Sequence, residues 1–173
     1  MKRSYEILWA TLTEAGLILV VAAASWTARF PLLFASLGPT VYELVEQPRA
    51  RSSRAYNIVA GHLIALGSGF FSIWVLNAWT VPNILSAGSV LPQRIWAAAI
   101  ATALTTFLTL LVKAMQPAAL ATTLLVSLGL MQTRRDAIAI VLGVLLVTAV
   151  GAPLRRLRLR FANTDADTRE SKD

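Results

Sequence analysis

Ser36, Gly38, Pro39 and Thr40 fall together in one apolar stretch, and Gln116, Pro117, Thr122 and Thr123 in a second. Proline at a first helical position, after a glycine that permits a sharp turn, reads as the start of a short helix. A helix that begins inside an apolar environment turns unpaired N–H groups, worth about half a positive charge, toward the interior. Such a terminus receives anions. At the first break the donors are the amides of Thr40 and Val41 with the hydroxyls of Ser36 and Thr40. At the second they are the Gln116 amide and the groups from Ala121 to Thr123. A few donors and no full countercharge suit a small anion that must also leave again. In the other reading the breaks only relieve packing, and their caps bond to neighbouring helices.

Three ionisable residues, Glu14, Glu43 and His62, fall within apolar segments, where charge is costly and often functional. A Glu–His pair there would carry a proton with the anion, or would lock two helices together. Arg29 and Lys113 close long apolar runs just before each broken segment. They serve as charges at the two mouths of a pathway or as ordinary interfacial anchors. Cysteine is absent, histidine occurs once, and no carboxylates pair at metal-ligand or acid–base spacing. Thiolate and metal sites are excluded, no cofactor is called for, and the chain does not read as an enzyme.

The elements that must position these residues lie in a bilayer. Of 173 residues 56% are hydrophobic and only 14% charged, with a mean hydropathy of +0.62. Soluble domains hold about a quarter charged residues. Long apolar runs extend from Ile7 to Ala28, Tyr56 to Trp79, Pro92 to about Lys113, and Ala137 to about Leu154. Two shorter ones run from Pro39 to about Glu46 and from Pro117 to Gln132. Met1-Lys2-Arg3 before the first run, with Ala22-Ala23-Ala24, resembles a signal peptide. Glu14, Trp26 and Arg29 favour a retained helix. Thr80 to Leu91 reads as the loop between halves. The fold class is therefore an all-α membrane protein of four long helices and two short broken ones. One membrane domain covers residues 1–160, with halves at 5–79 and 92–154, and residues 161–173 form a polar disordered cytoplasmic tail.

Charge decides the number of crossings. With six crossings and the N-terminus inside, Lys2, Arg3, Arg49, Arg51, Arg54, Lys113, Arg155, Arg156, Arg158 and Arg160 lie inside, ten against four outside (Arg29, Arg94, Arg134 and Arg135). If the short segments turn back, the same residues divide seven and seven. The positive-inside rule requires a bias, so six crossings are expected, with both termini cytoplasmic in a bacterial-type inner membrane. Three crossings per half make the halves inverted repeats. Thr40 matched to Thr122 and Pro31 matched to Pro117 are competing registers. The excess of basic residues sits beside apolar runs, as lipid contacts and topology require, so nucleic acid is not an expected partner. Gly61, Gly67, Gly69, Ser68 and Ser72 form a small-residue face for close helix packing, and so small a bundle predicts a homo-oligomer.

Three stretches, ASLGPTVYELVEQP, YNIVAGHLIALGSG and QPAALATTLLVSLGL, resemble the HPP family of integral membrane proteins from Ala35 to Leu130 in order and spacing. Where that family carries His-Pro-Pro-Ala-Gly-Ala, this chain has Gln116-Pro117-Ala118-Ala119-Leu120-Ala121. The resemblance implies small-anion transport, nitrite among the cargoes of some relatives, without the regulatory CBS domains that others carry. The competing class is a non-transporting membrane scaffold or accessory subunit, with the glycine face of the second long helix as its partner surface.

Overall fold

The computed structural model describes the backbone of residues 2–170 and the side chains of residues 4–160. Among these residues the chain is all helical: α1 (Lys2–Ala28), α2 (Leu37–Glu46), α3 (Ala55–Val75), a 3-10 turn (Ala78–Thr80), α4 (Ile84–Ala87), α5 (Pro92–Leu111), α6 (Pro117–Ser127) and α7 (Arg134–Glu170). Stretches within α1, α3, α5 and α7 are long and apolar enough to cross a membrane. The expected midpoint loop holds α4, whose first turn is capped by the Asn83 side chain accepting from Leu85 N and Ser86 N. No glycine or proline interrupts α7 after Pro153, and its backbone stays helical to Glu170. The stretch expected to be a disordered tail is therefore helical up to that residue. Its last three residues lie outside the described ones.

α2 and α6 have 10 and 11 residues, about 15 Å at 1.5 Å per residue, half of the ~30 Å hydrocarbon layer. Irregular chain completes each passage; before α2 its alternate residues turn into the protein while Pro31, Leu33 and Ala35 stay exposed. Leu32 and Phe34 are buried there. The Ser25 hydroxyl of α1 donates to Phe30 O (2.6 Å) and accepts from Leu32 N (3.2 Å).

Cross-chain contacts fix the path. At one end Arg135 donates to Arg29 O (3.2 Å) and lies over the Phe30 ring. At the other, Arg158 donates to Val45 O (2.7 Å) and covers Trp9. On the second side of the bundle Asn57 donates to Lys113 O and Met115 O, and Arg94 donates to Ser127 O. The chain thus passes six times between the two ends of the bundle. α1 is antiparallel to α7 and α3 to α5, whereas α2 runs parallel to α7 and α6 parallel to α3.

The long helices do not pack half by half. α7 joins α1 and α2, and α3 joins α5 and α6, with α3–α7 and α2–α6 contacts between the clusters. Exchanging α1 with α5, α2 with α6 and α3 with α7 turns every packed pair of these six helices into another packed pair. Glycines set the register. A Cβ on Gly61 would lie 2.7 Å from Gln116 Cβ and 3.3 Å from Ala114 O, and one on Gly143 would meet Leu32 O and, at 2.7 Å, the Phe34 ring. At Gly69 the obstacle is Val126 Cβ (2.7 Å), and at Gly151 it is Leu44 Cδ1 (2.7 Å). Gly61 and Gly143, Gly69 and Gly151, Leu32 and Ala114, Phe34 and Gln116, and Leu44 and Val126 are all 82 residues apart. The same separation joins Thr40 to Thr122 and not Pro31 to Pro117.

Candidate functional site

The first broken helix starts earlier than its Gly-Pro suggests. α2 begins at Leu37, whose N–H bonds Phe34 O (3.0 Å), and Thr40 N already bonds Ser36 O (3.4 Å). The amides of Thr40 and Val41, expected as free donors, are therefore inside the helix. Pro39 sits in the first turn, where its missing N–H costs nothing. The chain turns at Arg29, in the left-handed region at φ 48, and not at Gly38. Gly38 and Pro39 are exposed on the outer face of α2, as is Pro117 on α6. Pro117 does open its helix as expected.

Five expected residues turn inward: Ser36, Thr40, Gln116, Thr122 and Thr123 are all buried. Ser36 does not cap its own helix. Its hydroxyl meets that of Thr122 at 2.6 Å, joining α2 to α6. Thr40 Oγ1 donates to Ser36 O (2.9 Å) and lies 3.3 Å from His62 Nε2. Deeper along α6, the Thr123 and Thr105 hydroxyls bond at 2.9 Å, and Thr109 donates to Thr105 O (2.7 Å). The buried hydroxyls thus form two groups, Ser36, Thr40 and Thr122 with His62 on one face of α6, and Thr105, Thr109 and Thr123 between α5 and α6.

His62 Nδ1 is 2.8 Å from Ile58 O. A carbonyl can only accept, so Nδ1 carries the proton and Nε2 of the neutral ring is an acceptor. Thr40 then has one proton for two acceptors, Ser36 O and Nε2. A protonated ring would donate to Thr40 and complete the chain. Neither Glu14 nor Glu43 hydrogen-bonds to His62 among the described residues, so the expected Glu–His pair is not formed. Glu43 is buried at the far end of α2 beside Ser52, with one carboxylate oxygen unpartnered, and Glu14 is half-buried on α1. His62 also lines a cavity of about 90 Å³ between α3 and α7, with Val59, Leu63, Ile140, Val141, Val144 and Leu145. Val59 and Val141, His62 and Val144, and Leu63 and Leu145 are again 82 residues apart, so His62 is the polar member of three matched pairs in a lining completed by Ile140.

Arg29 and Lys113 end α1 and α5 in the same way, although they stand 84 residues apart and not 82. Each is left-handed, φ 48 and 58, just past its long helix. Phe30 N bonds Ser25 O and Ala114 N bonds Thr109 O, as in a Schellman cap, where glycine is usual. A cation there also lies against the negative end of the helix. No three His, Asp or Glu side chains gather as a metal would need among the described residues.

Arg94 escaped the sequence reading, which only counted it among the charges on the outer side. It is fully buried. It donates to Pro82 O (3.3 Å), Ser127 O (3.2 Å), Val81 O and Gln132 Oε1 (2.9 Å), tying the end of α6 to the connection after α3. Gly129, at φ 82, makes room for its guanidinium. Ser53 was also missed. It donates to Glu43 O (2.9 Å) and Gln47 O (2.7 Å) and closes the end of α2. Basic and hydroxyl residues next to a helix end were the available signal for both.

Four long apolar helices and two half-length ones meeting at buried hydroxyls define a polytopic helical membrane protein. The chain matches the family described as "HPP, transmembrane region" over residues 1–161 and belongs to that family. No match was found among curated proteins or among solved structures.

Proposed function

We propose that this protein carries a small inorganic anion of the nitrite class across a cell membrane, between the two helix clusters. The buried Ser36–Thr122 contact between α2 and α6 carries the reading, since it puts polar donors where the two broken helices meet. Thr40 and His62 extend this contact, Thr123 and Thr105 form a second polar contact between α6 and α5, and among the described residues no ion pair neutralises either. An anion entering there gains hydrogen bonds without a permanent countercharge, which favours release as well as binding.

The exchanged helix pairs and the constant separation of 82 residues support inverted repeats about an axis through the α3–α7 cavity. Six passes leave Arg49, Arg51, Arg54, Lys113 and the Arg155–Arg160 cluster at one end, which supports a cytoplasmic assignment of that end and of both termini. Self-association in the bilayer is part of the proposal. The scaffold alternative keeps only part of its surface, because Gly61 and Gly69 pack against α6 while Gly67 stays exposed.

The test is anion uptake by proteoliposomes, with nitrite, nitrate and formate offered separately to the wild type and to a Thr40→Val, Thr122→Val variant. Saturable uptake lost in a variant that elutes and melts as the wild type does is the expected result. No uptake of any anion by correctly folded protein would overturn the proposal.

A further inference from the structure

Gln116 stands at the N-terminus of α6, is 4% exposed, and has no hydrogen-bond partner for either Nε2 or Oε1. It does not cap its helix. Packing does not explain it either, because the position 82 residues earlier holds Phe34, which fills the equivalent place against Gly143 with an apolar ring. A buried carboxamide with both faces unpaired asks for a partner that donates and accepts at once. A bare anion offers only acceptors. A protonated oxyacid offers both, HO–X=O, and closes a two-bond ring in which Nε2–H donates to the X=O oxygen and the acid O–H donates to Oε1.

We propose that Gln116 binds the cargo as its uncharged weak acid, so that the proton travels on the substrate and not on a side chain. This rests on the transport reading and narrows its substrate class to anions of weak acids, nitrite and formate as against nitrate. The surroundings suit a neutral species. α3 presents Asn57 and Gly61 to this region, and the connection from α5 presents the carbonyls of Lys113, Ala114 and Met115. The titratable groups on the packed elements are Tyr56, whose hydroxyl donates to Val112 O, His62, next to Gly61, and Lys113, whose side chain is exposed.

Formamide tests the site without titrating, since it carries the same donor–acceptor pair and is neutral at every working pH. It should raise the melting temperature of detergent-solubilised wild type equally at pH 6 and pH 8, and should not do so for Gln116→Leu. Gln116→Phe serves as a second variant, because the fold already accepts phenylalanine at the matching position. In proteoliposomes the total nitrite giving half-maximal uptake should rise about tenfold per pH unit, as the neutral acid becomes scarcer, and formamide should inhibit. No formamide shift in the wild type, an equal shift in both variants, or nitrate carried as well as nitrite would overturn the inference. Formamide binding without movement of any anion would leave the site standing and remove the transport reading instead.

Discussion

A missing Cβ is the most direct probe of how the two clusters are held. Alanine is favoured over glycine in a helix by about 1 kcal/mol, so Gly→Ala at an open helical position should stabilise. Gly67, on α3, has nothing within 4 Å of an added Cβ, and Gly67→Ala should gain roughly that amount. At Gly61 and Gly69 the same methyl would stand 2.7 Å from a partner Cβ. Ordinary contact begins near 3.4 Å, so α3 and α6 must part by several tenths of an ångström. Overpacking of that kind costs about 1–3 kcal/mol, which exceeds the propensity gain and reverses the sign. Gly143 should be the worst of the series, since its obstacles include the Leu32 carbonyl, backbone that cannot rotate away. Gly151 should be the mildest, because the end of a leucine side chain can. Unfolding free energies in mixed micelles, followed by helical circular dichroism, give the order. If Gly61→Ala and Gly143→Ala stabilise as Gly67→Ala does, the close parallel packing of α3 on α6 and of α7 on the first broken segment is wrong, and the register falls with it.

Other outcomes follow from single contacts. Arg94→Met should cost about 3 kcal/mol or more, because several buried carbonyls lose their donor at once at ~1–3 kcal/mol each. Arg94→Lys should recover only part, since a point donor cannot serve a fork of acceptors, and both are read in the same unfolding assay. Gly129→Ala should destabilise by at least ~1 kcal/mol for its positive φ alone, with a further loss where the methyl meets the Arg94 guanidinium. Ser53→Ala should lose about 1 kcal/mol with the two carbonyls it serves at the end of α2. A loss confined to uptake, with stability unchanged, would refute that structural role.

Buried hydroxyls also explain why polar groups are affordable in this bundle. Thr109, Thr123, Ser127 and Thr148 each donate to a carbonyl of the preceding turn, at 2.7–3.3 Å. Such side chains satisfy themselves when no ligand is near. Ser36 and Thr122 differ in having no such carbonyl and bonding only each other across two helices, so that contact can be traded for a ligand.

Chain-local physics determined much of this protein. Run length and the absence of charge marked the long helices, the distribution of lysine and arginine favoured six passes, and Pro117 marked the start of α6. Glycines on the second long helix signalled close packing, and Thr40 and Thr122 were one of two candidate matches between the halves. The tertiary structure decided what depends on a partner far along the chain. Gly38-Pro39 looked like the turn, yet Arg29 and the half-buried irregular stretch after it make the break, because Ser25 of α1 supplies hydrogen bonds to that stretch. Arg94 looked like a surface charge until the carbonyls of two distant segments closed around it. The register of the halves is only thinly written in residue identity, as in Thr40 with Thr122 or Gly61 with Gly143, and is fixed by which glycine faces which bulk: Gln116 against Gly61 and Phe34 against Gly143 share a place and no chemistry. Packing selects volume at a contact between remote segments, and a linear sequence names the volumes without saying which of them meet.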